Sequence, residues 1–132
     1  MPQREPTDLV REAYETWNSS GPRAFVDWTS ENVELQDAPD LPDAQRWVGR
    51  DAVVARIEEL VAATGGRWAD IEDTRRVGDE VVVSLTWRLD RASPATLASV
   101  YHVVSVEGDR LVRIRVFLDE EQAIRAARDN PP

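Results

Sequence analysis

The stretch Ala95–Leu118, ATLASVYHVVSVEGDRLVRIRVFL, decides the fold. Its halves meet at Glu107-Gly108-Asp109-Arg110, a glycine-centred turn. Each half alternates with period two, the pattern of a strand with one face in a core. In the second half Val112, Ile114, Val116 and Leu118 alternate with Arg113, Arg115 and Phe117. In the first, Ala98, Val100, Val104 and Val106 share a face with His102, the only histidine of the chain, while Tyr101 and Val103 take the other. An imidazole on an aliphatic face is the first candidate for chemistry. Its ordinary alternative is a core histidine bonded to backbone.

Working outward, Val81, Val83, Leu85, Trp87 and Leu89 alternate with Val82, Ser84, Thr86 and Arg88, after the turn Val77-Gly78-Asp79-Glu80. This strand leads into the hairpin through Ala92-Ser93-Pro94. Residues 67–77, where charges mix with Trp68, Ala69 and Ile71, predict one strand more. At the N-terminal side, Leu9, Val10, Ala13, Tyr14 and Trp17 form a helical stripe over about residues 7–18, with Thr7 as N-cap. Pro22 opens a short second helix carrying Phe25 and Trp28. Residues 33–37 predict a short strand, and the proline- and aspartate-rich segment 37–47 a long loop. Gly49-Arg50-Asp51 opens a third helix with Val53, Val54, Ile57, Leu60 and Val61 as its buried stripe, stopped by Gly65-Gly66. Asp119 caps a last helix from Glu120 to about Arg128, with Gln122 completing a capping-box pattern.

Helices segregated to one side of a meandering sheet make an α+β fold. The expectation is a curled antiparallel sheet wrapped by the N-terminal helices into a cone, with one domain over 7–128 and tails at 1–6 and 129–132. A cone of this kind encloses a ligand-sized space.

Composition narrows the function classes. The formal net charge of −9 repels phosphate backbones and anionic lipid surfaces, so neither nucleic acid nor a membrane is expected as partner. The absence of cysteine removes disulfides, zinc–thiolate sites and thiol nucleophiles. All sixteen basic residues are arginine, which removes Schiff-base and P-loop lysine chemistry and suggests a GC-rich coding sequence. The first residues have no apolar signal core, so a cytoplasmic location is expected. Five tryptophans suggest aromatic walls: Trp17 and Trp28 in the core, Trp87 lining the cone, and Trp47 and Trp68 at its mouth.

The element order, with Trp47-Val48-Gly49-Arg50-Asp51-Ala52-Val53 opening the third helix and Arg113-Ile114-Arg115-Val116-Phe117-Leu118-Asp119 ending the last strand, resembles the nuclear transport factor 2-like (cystatin-like) superfamily. More narrowly it is similar to the SnoaL-like and ketosteroid-isomerase-like proteins of bacteria. From the isomerases the resemblance implies three catalytic positions. Tyr14 falls at the oxyanion-hole tyrosine, Asp37 at the general-base carboxylate, and His102 where the family has a protonated acid that donates to the oxyanion. Histidine at the third position departs from the pattern. Limonene-epoxide-hydrolase-like relatives need an Arg–Asp pair and a further aspartate where this chain has Leu85, Trp87 and Val116, which argues against that chemistry.

The functional expectation is an apolar pocket for a small carbonyl-bearing molecule, walled by Trp87, Trp47, Trp68, Leu85, Ile114 and Val116. Asp37, desolvated by that wall, would take a proton α to the carbonyl, and Tyr14 with His102 would stabilise the enolate oxygen. No metal or organic cofactor is implied. The alternatives are a binding module without chemistry and a dimerisation module whose filled cone leaves no cavity above about 300 Å³. The face carrying Tyr101, Arg113, Arg115 and Phe117 is expected to form a homodimer interface.

Overall fold

The computed structural model describes residues 5–93 and 95–129. The chain runs α1 (Pro6–Ser20), α2 (Pro22–Val26), β1 (Thr29–Gln36), β2 (Arg46–Val48), α3 (Arg50–Thr64), β3 (Trp68–Val77), β4 (Glu80–Arg88), β5 (Thr96–Glu107), β6 (Arg110–Phe117) and α4 (Glu120–Arg128). The strands form a single six-stranded sheet in the order β2-β1-β6-β5-β4-β3, so the fold is α+β as expected. Residues 1–4 and 130–132 of the expected tails, and Pro94 of the turn before the hairpin, lie outside the described residues.

Three local expectations are corrected. The helix expected from Thr7 begins at Pro6, with Glu5 as an N-cap that makes no side-chain bond. Proline at the first helical position loses nothing, since its missing N–H has no intrahelical partner there. The expected loop 37–47 contains most of β2, which pairs with β1 through Leu35↔Trp47 and Gln36↔Arg46. Three residues are too few to show a period. The sheet is also not antiparallel throughout: β1 runs parallel to β6, with Leu35↔Ile114 and Gln36↔Arg115. These two strands are joined by a long crossover rather than a hairpin, so a parallel pairing is open to them.

Irregularities in the ladders curl the sheet. Between β5 and β6 the pairs Ser105↔Arg113 and Val106↔Leu111 leave Val112 as an extra residue. The bulge turns Leu111 into the core, fully buried, and leaves Val112 half-buried, which shifts the expected alternation by one position. Between β4 and β5, Trp87↔Ala98 is followed by Arg88↔Thr96, which makes Leu97 the extra residue. A further shift breaks the β3–β4 ladder between Ile71 and Asp73.

Helices close both faces. The α1 stripe Leu9, Val10, Ala13, Tyr14 and Trp17 is buried in the main core with the sheet's concave face. Asn18 locks this helix to the edge strand β3: its Nδ2 donates to Ala69 O and its Oδ1 accepts from Ala69 N, both at 2.8 Å. On the convex face α4 covers Val82, Val103 and Phe117 with Ala123 and Ala127. Asp119 caps α4 by accepting from Gln122 N at 2.9 Å, but Gln122 Oε1 is buried without a partner, so the capping box is formed on one side only. On the face expected to form a homodimer interface, Tyr101, Arg113 and Arg115 are partly exposed and Phe117 is buried. Phe117 lies beneath α4, and Arg113 and Arg115 turn to buried Glu80 at 3.3 and 3.8 Å.

Replacing Asn18 by Leu removes both bonds to Ala69 and leaves an edge-strand N–H and C=O unpaired. The expected cost is about 2–3 kcal/mol in urea unfolding. A loss below about 0.5 kcal/mol would show that α1 is seated by apolar packing alone.

Candidate functional site

Between α1, α3 and the concave face of the sheet lies a cavity of about 450 Å³. This volume is above that expected of a filled cone. Its wall is almost wholly apolar, with Trp17, Phe25, Ile57, Trp87, Val100 and Ile114 among its residues. Two polar couples interrupt it.

The first couple joins Tyr14 and His102. The i, i+4 spacing of Val10 and Tyr14 puts the phenol on the buried face of α1. The strand alternation of β5 puts His102 on the concave face beside Val100 and Val104. The hydroxyl lies 2.6 Å from Nδ1 of the imidazole, and both side chains are buried, 2% and 8% exposed. Burial pushes the His102 pKa down to about 4 and raises that of Tyr14 above the ordinary phenol range, so both are neutral near pH 7. The donor arithmetic then has two solutions. If Tyr14 donates to Nδ1, the proton on Nε2 is free; if Nδ1–H donates to the phenol oxygen, the hydroxyl proton is free. Either way the couple holds one donor for the cavity. Phe25 and Trp87 flank it, with ring centroids 5.2 Å from Tyr14 and 6.5 Å from His102 respectively.

The second couple is Asp37 with Arg56. Asp37 follows β1 and lines the cavity, its side chain 7% exposed. The carboxylate accepts from Arg56 at 3.3 and 3.4 Å and from Gln45 N at 3.3 Å. The expected environment, a carboxylate desolvated against an apolar wall, is corrected: Asp37 is ion-paired. Arg56 also meets Glu59 at 3.3 Å, lies 4.6 Å over the Trp47 ring, and keeps a buried Nε without a hydrogen-bond partner.

Register sets the spacing of the two couples. Gln36 pairs with Arg115 across β1–β6, so Asp37 falls level with Val116, and Val116 pairs with His102 across β6–β5. The two backbones stand two strand spacings apart, about 10 Å. A guest that touched both couples would span the cavity.

Of the six expected wall residues, Trp87, Ile114 and Val116 line the cavity. Trp47, Trp68 and Leu85 do not. Trp47 packs against the main core and supports Arg56. Trp68 donates from Nε1 to Asp70 at 2.7 Å. Leu85 is buried in the main core, behind the wall. Trp17, expected as core, is both buried and on the cavity wall. Arg56 was missed, although it interrupts the apolar stripe at i+3 from Val53 and i−4 from Leu60, the position of a charge that faces inward. Among the described residues no group of His, Asp or Glu is placed to hold a metal ion, and no helix is long and apolar enough to cross a membrane.

The single histidine makes the first couple directly observable. The His102 Cε1 proton is expected to titrate in NMR with a midpoint near pH 4; a midpoint near 6.5, the ordinary value, would place the ring in water. Because the folded pKa is the lower one, the unfolded chain takes up this proton first. Stability from this residue is whole above about pH 6.5 and falls by up to about 3 kcal/mol as pH drops to 4. In alkali, Tyr14 is expected to ionise only when the protein unfolds, read at the tyrosinate absorbance band.

The SnoaL-like domain family matches residues 10–114, a span that holds Tyr14, Asp37, Arg56 and His102. No curated protein sequence matches the chain. Among solved structures, Bal32a from a soil-derived mobile gene cassette superposes with a TM-score of 0.69 at 19% identity, over 88% of this chain and 90% of that one. TerC, co-crystallised with polyporic acid, gives a TM-score of 0.68 at 15% identity, over 89% and 96%. A candidate polyketide cyclase from Sinorhizobium meliloti gives 0.65 at 14% identity, over 83% and 93%. These likenesses are of fold. The family match, over most of the chain's length, shows that the chain belongs to the SnoaL-like domain family.

Proposed function

We propose that the cavity binds one small, largely apolar, carbonyl-bearing molecule and that Asp37 moves a proton on it without a cofactor. The observation that carries this reading is the 2.6 Å Tyr14–His102 bond in an apolar wall. Among the described residues it leaves one donor without a protein acceptor on a largely apolar wall, and a guest carbonyl is a group that would use it. As a proton leaves the carbon α to that carbonyl, negative charge develops on the oxygen, and the donor stabilises it more strongly than it does the ground state. Asp37, on the wall of the same cavity, takes the proton when the guest seats that carbon against its carboxylate and returns it to the same molecule, so the step needs no oxidant and no metal. In fold terms, a neighbour crystallised with polyporic acid supports a small organic guest as the class.

A second reading, binding without turnover, is favoured by the Asp37–Arg56 ion pair, which engages the carboxylate that would act as base. The two part company on one substitution. The probe is the cyclic ketone 2-tetralone in deuterium oxide, with exchange of its α protons followed by NMR and binding followed by tryptophan fluorescence, since Trp17 and Trp87 line the cavity. On the proposed reading Asp37→Asn lowers exchange by about a hundredfold or more while binding stays within about threefold. Tyr14→Phe combined with His102→Leu, which removes both possible donors, weakens binding by about fivefold. Exchange unaffected by Asp37→Asn would leave the binding module as the function.

A further inference from the structure

The mouth of the cavity is built from exposed leucines. Among the described residues the exposed large apolar side chains are Leu41, Val48, Leu60, Leu89, Leu97 and Leu118, and four of them, Leu41, Leu60, Leu97 and Leu118, line this cavity. Scattered surface leucines need no explanation, but four that converge on one opening form a patch. They come from separate elements: the segment after β1, the last turns of α3, the start of β5 and the end of β6. Each is 40–45% exposed, whereas Tyr14 and Ile114 on the same wall are 2% exposed. The cavity therefore has its neutral polar couple on the buried floor and hydrocarbon at its lip.

Leu97 shows that this lip is a built feature. In a regular strand it would face away from Ala98, yet both line the cavity. The extra residue between Trp87↔Ala98 and Arg88↔Thr96 re-aims it. Leu97 stands five positions before His102 along β5, a rise of about 16 Å from lip to floor.

We propose that the guest is a long amphipath, with one neutral carbonyl or hydroxyl at the Tyr14–His102 floor and a hydrocarbon body that runs outward and lies against the leucine lip. This rests on the floor-binding reading given under Proposed function and extends it to the shape of the guest. A compact polar guest would leave the leucines wet; a hydrocarbon body covers them. Among the described residues the charged side chains that line the cavity are Asp37 and Arg56, which hold each other, so a neutral tail meets no unpaired charge there on its way out.

The test is a series of methyl ketones with butyl, hexyl, octyl and decyl tails, titrated by tryptophan fluorescence against the intact chain and three variants. Each added methylene is expected to tighten binding about threefold until the tail clears the lip. Leu97→Ser and Leu60→Ser, at exposed positions, are expected to weaken the decyl ketone about fivefold and to leave the butyl ketone within about twofold. Tyr14→Phe combined with His102→Leu, which removes both possible donors, should weaken every member by the same factor. Affinity independent of tail length, or serine variants that affect butyl and decyl ketones alike, would overturn the amphipath. Tail-length dependence that persists with that double variant silent throughout would instead remove the carbonyl anchor and keep the lip. Absence of binding by the whole series would overturn both.

Discussion

One hydrogen bond constrains the interior: Tyr14 to His102, between buried groups 88 residues apart in the chain. A phenol or an imidazole alone in such a wall costs on the order of 1–3 kcal/mol for its lost hydration. Bonding to each other removes most of that cost for both. It also holds each neutral, because charging either would place an ion among Phe25, Trp17 and Trp87. The pair thus stabilises its own surroundings while still holding one donor that a guest can satisfy.

Holding that bond requires α1 and β5 to keep their separation. Asn18 supplies the restraint near the end of α1, imitating a neighbouring strand toward Ala69 on the open edge of the sheet. On the sheet side the bulges set the curl, and the curl makes the concave face a wall around space rather than a flat bed for α1. Charge is kept off this wall by pairing. Glu80 draws Arg113 and Arg115 to the convex face, beside the cover of α4, and Asp37 and Arg56 neutralise each other within the cavity. A largely apolar wall whose ions are matched is where a single free donor counts most.

The sequence was most informative where period and burial coincide. The alternation in β4 and β5 placed Val83, Val100, Val104 and His102 on one face, and the helical stripe placed Tyr14 toward it. It was least informative where one extra residue breaks the period. Nothing in the composition marks Leu97 or Val112 as bulged, and from that follow both the displaced Leu111 and the leucine at the lip. Trp47 and Trp68 were misplaced for a related reason. Both flank the pocket in the chain, but the direction of an aromatic ring depends on partners, here Arg56 and Asp70, that belong to other elements or other ladder positions.

By itself the sequence determined the α+β class, the order of elements, the faces of the regular strands and helices, and three candidate residues. All of these follow from local periodicity and from a resemblance carried by short motifs. The tertiary structure alone decided that Tyr14 and His102 bond to each other, that Asp37 is met by Arg56, that β1 lies parallel to β6, and that leucines from four segments surround one opening. Each is a pairing between distant parts of the chain, fixed by how the sheet curls and by which buried polar groups find partners. A one-dimensional pattern does not encode it.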